Sequence, residues 1–167
     1  MKRIKFRSQF GSHLPVLIKL TSITTGPILE LGSGMYSTPY LHWECHRTGR
    51  KLVTYEMIEK FYDIAKSYET SYHRVVKVYD WDSVDFGGEW SIAFVDHSPG
   101  ERRGKDIDRL GQADYLVVHD ATGKYENAYG YVNSFKKFKY NWKYRGANPW
   151  TMVLSNKNDL KNFTVKP

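Results

Sequence analysis

Gly26-Pro27-Ile28-Leu29-Glu30-Leu31-Gly32-Ser33-Gly34 is the stretch of the chain that decides its fold. Ile28–Leu31 is a short apolar run that holds one acid and follows a Gly-Pro pair, which predicts a buried strand. Gly32 and Gly34 then allow a tight turn and leave the backbone free of Cβ atoms, so that a ligand can approach it closely. The stretch therefore predicts a strand that ends in a turn suited to a small molecule.

The turn is expected to lead directly into a helix. Ser37 or Thr38 would cap that helix, and Pro39 suits its first turn. The pattern Glu-x-Gly-x-Gly lacks the third glycine of the dinucleotide-binding pattern Gly-x-Gly-x-x-Gly, because Ser37 stands in its place, and this weakens a pyrophosphate interpretation. A strand, a glycine turn and a helix start predict a small-molecule site at the carboxyl edge of a parallel sheet.

Strands and helices alternate along the rest of the chain. The other expected strands cover residues 51–56, 74–78, 90–96 and 114–120, and the expected helices cover residues 13–24, with Ser12 as the cap, 39–47, 58–67 and 104–110. Such alternation is typical of a parallel α/β sheet. Residues 138–144 and 150–155 are joined without a helix, so we expect them to form an antiparallel hairpin at the end of the sheet.

The bulk composition favours one folded domain in a reducing compartment. The 167 residues suit a single domain, in which residues 1–12 form a basic arm and residues 13–160 form the core. No apolar run is long enough to cross a bilayer, and the basic start lacks a convincing signal-peptide cleavage site, so no membrane partner is expected. Cys45 is the single cysteine, which excludes an internal disulfide and suits a packing residue of a cytoplasmic protein.

The net charge of +7 is concentrated near the end of the chain. Residues 1–123 carry 16 basic and 16 acidic side chains, whereas residues 124–167 carry 9 basic and 2 acidic ones. This asymmetry indicates either an anionic partner or substrate, or a solvated lysine face that protects a sheet edge. From Phe138 to Arg145, aromatic residues alternate with polar residues that are mostly basic, which fits an outer strand or a site for single-stranded nucleic acid.

The acid-x-Gly-x-Gly loop of Glu30, Gly32 and Gly34 resembles the first motif of the class I S-adenosylmethionine-dependent methyltransferases. The resemblance covers about residues 13–160, because the chain supplies all seven expected strand segments. It implies a single-domain Rossmann-like α/β sheet of seven strands, mostly parallel, with an antiparallel C-terminal hairpin, helices on both faces and S-adenosylmethionine as cofactor. The chain departs from the family in its small helix between strands 4 and 5 and in the lack of a visible substrate-recognition insert.

The resemblance assigns cofactor roles to residues that follow the first three strands. Glu30 would orient the methionine portion, and Glu56 would accept hydrogen bonds from both ribose hydroxyls. Met57 would cover the adenine, while Asp80 or its competitor Asp82 would take the adenine amino group. With Trp81 packed on the ring, the expected cofactor-binding residues are Glu30, Gly32, Ser33, Gly34, Ser37, Thr38, Glu56, Met57, Asp80, Trp81 and Asp96.

The methyl acceptor is expected beside the end of the fourth strand, where the chain reads Asp96-His97-Ser98-Pro99-Gly100. His97 and Gly100 break the Asn/Asp-Pro-Pro-aromatic motif of methyltransferases that act on the amino group of adenine, which counts against base N-methylation. A hydroxyl acceptor is therefore favoured, with Asp96 or His97 as the general base.

Asp96 and the pair His119-Asp120 also resemble the metal-dependent O-methyltransferases of the catechol and sugar type. Asp96 and Asp120 could supply two oxygen ligands to Mg²⁺. The third ligand would be Ala121 or His119, and neither is a good oxygen donor, whereas His119 would suit a transition metal. Without a metal, His119 and Asp120 would form a structural hydrogen-bonded pair.

Other side chains near these strand ends are candidates for binding the acceptor. Arg102 and Arg103 could clamp a carboxylate or a phosphate, or they could be solvated. A tyrosine of the glycine-containing loop after strand 5 could position a substrate. The expected acceptor-binding residues are Arg102, Arg103, His119 and Tyr125.

The sequence thus predicts an S-adenosylmethionine-dependent methyltransferase that acts on a hydroxyl of a small or anionic acceptor. One alternative is a binding module of the same fold that holds the cofactor or RNA without turnover. Another is a nucleic-acid methyltransferase that docks through its basic C-terminal quarter. The short chain also leaves room for a homo-oligomer that completes the acceptor site.

Overall fold

Residues 8–165 are described by a computed structural model, and the basic segment of residues 1–7 lies outside that range. The seven strands are β1 (Ile28–Leu31), β2 (Leu52–Glu56), β3 (His73–Lys77), β4 (Ile92–Val95), β5 (Tyr115–Val118), β6 (Tyr140–Tyr144) and β7 (Thr151–Ser155). The α-helices are α1 (Leu14–Ile23), α2 (Ser37–Thr48), α3 (Glu59–Lys66), α4 (Arg103–Asp108), α5 (Gly123–Ala128) and α6 (Tyr131–Phe135). Short 3₁₀ turns cover Ser8–Gly11, Trp81–Ser83 and Gly100–Arg102.

The strands form one sheet in the order β3-β2-β1-β4-β5-β7-β6. The first five are parallel to one another, and β7 runs antiparallel to both of its neighbours. The expected fold class is therefore confirmed, including the inserted antiparallel strand. The chain leaves β1 towards β2 on one side and returns to β4 on the other, so a crevice opens at the carboxyl ends of β1 and β4.

Alternate residues of the central strands feed two separate apolar cores. Ile28 and Phe94 belong to the core on the face covered by α1 and α2. Leu29 and Val95 belong to the core on the opposite face, which also includes residues of α4 and α6. Cys45 is fully buried in the first core, which agrees with a packing role. Because both faces are covered, the central strands β4 and β5 carry only apolar and aromatic residues, as in other parallel sheets.

Two helix starts differ from the sequence-based expectation. Ser12 does not cap α1, since its hydroxyl group contacts His119 Nε2 and donates to the carbonyl of Pro149. Ser37 and Thr38 do not cap α2 either, because the N-cap position is Tyr36. In both cases a tertiary hydrogen bond takes the hydroxyl that local pattern would give to the helix end.

The segment after β5, expected to be a loop, contains the two short helices α5 and α6. They have only six and five residues, too few for an apolar period to be recognised in the sequence. The helices bring Tyr129 and Tyr131 against the core next to α4. Of the two helices, α5 lines the crevice at the carboxyl ends of the strands, through Lys124 and Tyr125.

The alternating strand β6 behaves as an outer strand of the sheet. Tyr140, Trp142 and Tyr144 pack into one core, and the ring of Trp142 lies 4.9 Å from that of Phe163. Lys143 pairs instead with Glu126. This arrangement agrees with an outer strand whose aromatic rings pack on the core while Lys143 lies on the other face. None of the helices within residues 8–165 has the length and apolar character of a membrane span.

Candidate functional site

A cavity of about 820 Å³ opens at the carboxyl ends of the central strands. It extends from the glycine turn after β1 to the loops after β4 and β5. Its lining residues are Gln9, Phe10, His13, Ser33, Gly34, Met35, Tyr36, Ser37, Lys60, Phe61, Asp96, Arg103, His119, Asp120, Thr122, Lys124, Tyr125, Asn148 and Pro149. This volume lies in the range typical of small-molecule and cofactor sites.

The glycine turn passes very close to the loop after β4. Gly32 has a φ of +88°, and a Cβ atom at this position would lie 2.5 Å from the Cα of His97 and 2.6 Å from its nitrogen. Only glycine combines this backbone conformation with this close approach. The turn therefore brings Ser33 and Gly34 to the same cavity as Asp96.

Glu30 supports this turn from below and does not itself line the cavity. Its side chain is fully buried, and Thr38 Oγ1 donates to both carboxylate oxygens at 3.1 Å. Thr38 Oγ1 in turn accepts the backbone N–H of Gly34 at 2.9 Å. Thr38 thus connects the carboxylate to the turn, so we interpret Glu30 as a residue that holds the loop in place.

A row of hydrogen bonds leads from Glu30 across β2 and β3 to Tyr72. Thr54 donates its only hydroxyl proton to Glu30 at 2.7 Å, so it accepts from His73 Nε2 at 2.9 Å. The Nδ1 atom of His73 is then an acceptor, and it lies 3.1 Å from Nδ1 of His42. Tyr72 completes the row by donating to His42 Nε2 at 2.9 Å. Every donor in the row therefore points towards an ionised Glu30.

Glu30 should make stability depend on pH. Burial raises the pKa of Glu30 from 4.5 to about 7, although the hydroxyl of Thr54 opposes the shift. Between these two values the folded protein binds more protons than the unfolded chain, so the free energy of unfolding falls as pH rises. A shift of this size corresponds to about 3 kcal/mol. Glutamine does not ionise, so the Glu30→Gln variant should lack this loss. We expect its free energy of unfolding to exceed that of the wild type by an amount that grows between pH 5 and pH 8, up to about 3 kcal/mol.

Urea denaturation at both pH values measures this difference, and Glu101→Gln is the matched control because Glu101 is exposed. The comparison between variants removes the opposite effect of buried histidines such as His73, whose pKa burial lowers to about 4. An equal pH dependence in the wild type and Glu30→Gln would contradict the assignment.

Glu56 also serves the glycine turn in this structure. Its Oε2 atom accepts the backbone N–H of Ser33 at 2.7 Å and the hydroxyl of Ser33 at 3.0 Å. Its Oε1 atom accepts the N–H of Ile58 at 2.6 Å, and the residue is only 3% exposed. The carboxylate lies directly beneath Ser33, which does line the cavity.

The residues expected around the adenine lie outside the lining of the cavity. Asp80 is exposed and caps the 3₁₀ turn Trp81–Ser83 through the N–H of Asp82. Trp81 is buried in the core, where its Nε1 donates to the carbonyl of Ser98. Met57 packs against the same core. Lys60 and Phe61 of α3 occupy the corresponding side of the cavity instead.

Arg103 joins two carboxylates on the opposite side of the cavity. Its guanidinium lies 3.0 Å from Asp96 and 3.0 Å from Asp120, and it donates to the backbone carbonyls of Asp96 and His97. Asp120 has a φ of +59°, a left-handed conformation that is uncommon outside glycine. The two ion pairs connect the loop after β4 to the loop after β5. They also hold Asp120 in its left-handed backbone conformation.

Two histidines, His119 and His13, lie beside Asp96 and Arg103 on the same side of the cavity. The Nδ1 atom of His119 lies 3.1 Å from Asp96 Oδ2, and its Nε2 atom lies 2.8 Å from Ser12 Oγ. Burial alone would lower the pKa of His119, but the charge of Asp96 outweighs it and the pKa is raised. His13 is 2% exposed, neither of its ring nitrogens has a hydrogen-bond partner, and burial lowers its pKa to about 3.

Asp96 remains ionised in these surroundings. Burial alone would raise its pKa, but the charges of His119 and Arg103 outweigh it and hold the pKa of Asp96 well below its usual range. The side chain is still one quarter exposed and lines the cavity. A ligand can therefore reach this carboxylate.

His97 and Arg102, the residues expected to take part in catalysis and in acceptor binding, do not line the cavity either. His97 is 1% exposed, its ring lies 4.2 Å from that of Trp81, and its Nε2 atom is 3.2 Å from Asp106. Arg102 pairs with Asp82 and Asp106. These positions do not support the expectation that His97 removes a proton and that Arg102 holds the acceptor, because the ring of His97 is packed in the interior and Arg102 is ion-paired with two carboxylates.

The expected metal pair is also arranged differently. Asp96 and Asp120 each direct an oxygen to the guanidinium of Arg103, so a cationic side chain occupies the place between them. Among residues 8–165 the metal-ligating atoms that converge belong instead to His13, Asp96 and His119, and they lie within 4.8 Å of one another. Arg103, His119 and Tyr125 line the cavity, and their role in acceptor binding stays a prediction.

Several lining residues could not be recognised in the sequence. His13 stands at the N-cap of α1, and only the packing of α1 near β5 brings it to His119. Phe61 has the spacing of a core residue of α3 but lines the cavity. Asn148 and Pro149 come from the turn between β6 and β7, which carries no pattern of a binding loop.

Comparison with solved structures places this architecture among methyltransferases. The cofactor-bound structure of Rv0187 from MTB superposes with a TM-score of 0.66 at 19% identity, over 95% of this chain and 84% of that one. The O-methyltransferase from Bacillus cereus in complex with SAH gives 0.62 at 16% identity, over 90% and 82%. The SAH-bound Podospora anserina methyltransferase PaMTH1 gives 0.63 at 10% identity, over 92% and 80%.

No protein-family model and no curated protein matches the sequence. The likeness therefore concerns the three-dimensional structure. Its strand order, its inserted antiparallel strand and its glycine turn after β1 agree with the motif resemblance. The chain has the fold of the class I S-adenosylmethionine-dependent methyltransferases.

Proposed function

We propose that this protein is an S-adenosylmethionine-dependent methyltransferase that acts on a hydroxyl of a small or anionic acceptor. The observation that carries the proposal is one cavity with two different ends. One end is the turn of Ser33 and Gly34, and the other is the polar wall of Asp96, Arg103 and His119. A methyl donor on the turn and an acceptor at the wall would share this space.

The turn offers the cofactor a surface of backbone and small side chains. Gly34 lies at the cavity with its N–H held by Thr38, and Ser33 lies above Glu56. A ribose hydroxyl would reach Glu56 where the Ser33 hydroxyl now lies. Because two of the compared structures are complexes with SAH, and the third is described as cofactor-bound, the same class of ligand is proposed for this turn.

The polar wall suits an acceptor hydroxyl. Ionised Asp96 can accept a hydrogen bond from that hydroxyl and orient its oxygen towards the methyl donor. A base with a low pKa is sufficient, because the hydroxyl proton becomes strongly acidic once the oxygen carries the methyl group. Lys124 also lines the cavity, close in sequence to Asp120, and favours an acceptor with negative charge. Most of the rate enhancement would come from alignment of the two reactants.

Calorimetric titration with S-adenosylmethionine and S-adenosylhomocysteine tests the proposal. Binding at micromolar concentration is expected, followed by formation of S-adenosylhomocysteine with a hydroxyl acceptor from a screen that includes carboxylated and phosphorylated compounds. Absence of binding to both ligands would remove the methyltransferase proposal. Binding without turnover on any acceptor would favour a module that only holds the cofactor.

Glu56→Gln is expected to weaken cofactor binding while the fold is retained. Glutamine keeps the shape of the side chain but replaces a charged acceptor, and hydrogen bonds to charged groups contribute about 1.5–3 kcal/mol. We therefore expect the dissociation constant for S-adenosylhomocysteine to rise by about 10-fold to 100-fold. Glu89→Gln is the control, because Glu89 is exposed in the loop before β4. Unchanged affinity in Glu56→Gln would contradict the ribose assignment.

A further inference from the structure

Three side chains from separate parts of the chain converge at the polar wall. His13 precedes α1, Asp96 follows β4 and His119 follows β5, and one potential ligand atom of each lies within 4.8 Å of the others. We propose that these three residues bind one divalent transition-metal ion. This goes beyond the proposed function, because the ion would contact the acceptor end of the cavity and its binding does not require the cofactor.

The hydrogen bonds of His119 determine which of its nitrogens faces the site. Ser12 donates its only hydroxyl proton to the carbonyl of Pro149 at 2.7 Å, so its oxygen accepts from His119 Nε2 at 2.8 Å. The neutral ring therefore carries its lone pair on Nδ1. This atom faces Asp96 Oδ2 at 3.1 Å, and two lone pairs at that distance require a positive species between or beside them. A bound metal ion meets that requirement, as does a proton.

The same contacts exclude a different interpretation of these residues. Ser12, His119 and Asp96 have the order of a nucleophile, base and acid. However, the hydroxyl proton of Ser12 is already donated to Pro149, and Ser12 does not line the cavity. Ser12 instead resembles the outer hydrogen-bond partners that orient metal-binding histidines.

His13 supplies the second, independent observation. Its ring is 2% exposed and lines the cavity, yet both of its nitrogens lack a hydrogen-bond partner. Its ring centroid lies 4.6 Å from Phe94 and 4.7 Å from His119, so the ring is held in place by packing alone. A buried polar atom without a partner is costly, and a ligand in the cavity would remove that cost.

The local charge is suitable for a cation. Asp96 offers Oδ2 to the site, while its Oδ1 atom lies 3.0 Å from Arg103. Arg103 is also paired with Asp120 at 3.0 Å. Two carboxylates and one guanidinium leave one negative charge beside two neutral imidazoles, so a divalent ion would not face a net positive site.

The donor set favours a transition metal over magnesium. Two imidazole nitrogens and one carboxylate suit Zn²⁺, Co²⁺ or Ni²⁺, whereas Mg²⁺ prefers oxygen ligands. Three protein ligands leave a coordination position for a bound molecule. That position would face the cavity, where an acceptor oxygen could occupy it.

Metal binding should be measured on the EDTA-treated protein after removal of any histidine tag and without S-adenosylmethionine. Calorimetry with ZnCl₂, CoCl₂ and MgCl₂ is expected to show one site for Zn²⁺ and Co²⁺ and much weaker binding of Mg²⁺. Wild-type protein with Co²⁺ should also develop visible ligand-field absorption. Absence of one-site Zn²⁺ binding, or of the Co²⁺ bands, would overturn the proposal and leave a proton between His119 and Asp96.

Variants identify the ligands. His13→Ala is expected to weaken Zn²⁺ binding by more than the roughly 10–100-fold typical of losing an outer partner, and Ser12→Ala by about that smaller factor. His46→Ala is the control, because His46 is exposed on α2. Equal affinity in the wild type and His13→Ala would overturn the ligand assignment. If His13→Ala does not fold, a Zn²⁺ affinity about 10–100-fold weaker in Ser12→Ala than in the wild type supports the proposal, and an equal affinity contradicts it.

Discussion

Gly32→Ala is expected to destabilise the protein by about 2–5 kcal/mol and to abolish cofactor binding. An alanine in the left-handed conformation costs about 1–2 kcal/mol. Its Cβ would lie 2.5 Å from the backbone of His97, and relieving such overpacking costs a further 1–3 kcal/mol, roughly. The backbone cannot move aside as a flexible side chain could, so the turn itself would shift. Urea denaturation and titration with S-adenosylhomocysteine measure the two effects.

Gly49→Ala provides the matched control for this substitution. Gly49 has a φ of +70°, but nothing lies within 4 Å of the position of an added Cβ. It should therefore show only the conformational cost of about 1–2 kcal/mol and should retain cofactor binding. Equal losses of stability in Gly32→Ala and Gly49→Ala would show that the approach of the turn to His97 is not tight.

Asp96→Asn is expected to lower methyl transfer by about 100-fold to 10,000-fold, the range typical of a lost general base. Asparagine is similar in shape but cannot take up the acceptor proton. Arg103 retains its pair with Asp120 in the variant, so the loops should remain in place. Turnover measured as S-adenosylhomocysteine formation is expected to fall, while the dissociation constant of the cofactor should change little.

Two comparisons make this result specific. Asp108→Asn removes a carboxylate that pairs with Lys137 on the surface and is expected to leave turnover unchanged. Near-normal turnover in Asp96→Asn would show that Asp96 does not receive the proton. A parallel loss of cofactor affinity and turnover would show instead that Asp96 supports the cofactor end of the cavity.

The fold could be predicted from the sequence because its strongest signals are local. The bounds of β1 agree with the expected Ile28–Leu31, since a short apolar run lies between a proline and a glycine turn. The hairpin of β6 and β7 also follows from the missing helix between two strand segments. In contrast, α5 and α6 are held by packing against α4 and by each other, and such contacts leave little trace in a short segment.

The candidate site could be predicted only in part, for a different physical reason. Asp96, His119 and Asp120 follow neighbouring parallel strands, so the topology alone brings them to one edge. The direction of each side chain was not available from that argument. His97 turns into the core behind its neighbour Asp96, and His13 arrives from a distant segment. The positions of the strand ends therefore predict where the site lies better than they predict which side chains face it.

Protonation of Glu30 is expected to change which atoms donate and which accept in the row of hydrogen bonds from Tyr72 to Glu30. A proton added to the Oε2 atom of Glu30 would make it a donor to Thr54, and each donor along the row would then reverse. His73 and His42 would exchange tautomers together, and Tyr72 would become an acceptor. Because burial raises the pKa of Glu30 to about 7, we expect protonated and ionised Glu30 to be present together near neutral pH. We therefore expect the hydrogen bonds beneath the turn to adopt two arrangements of protons on one set of heavy-atom positions.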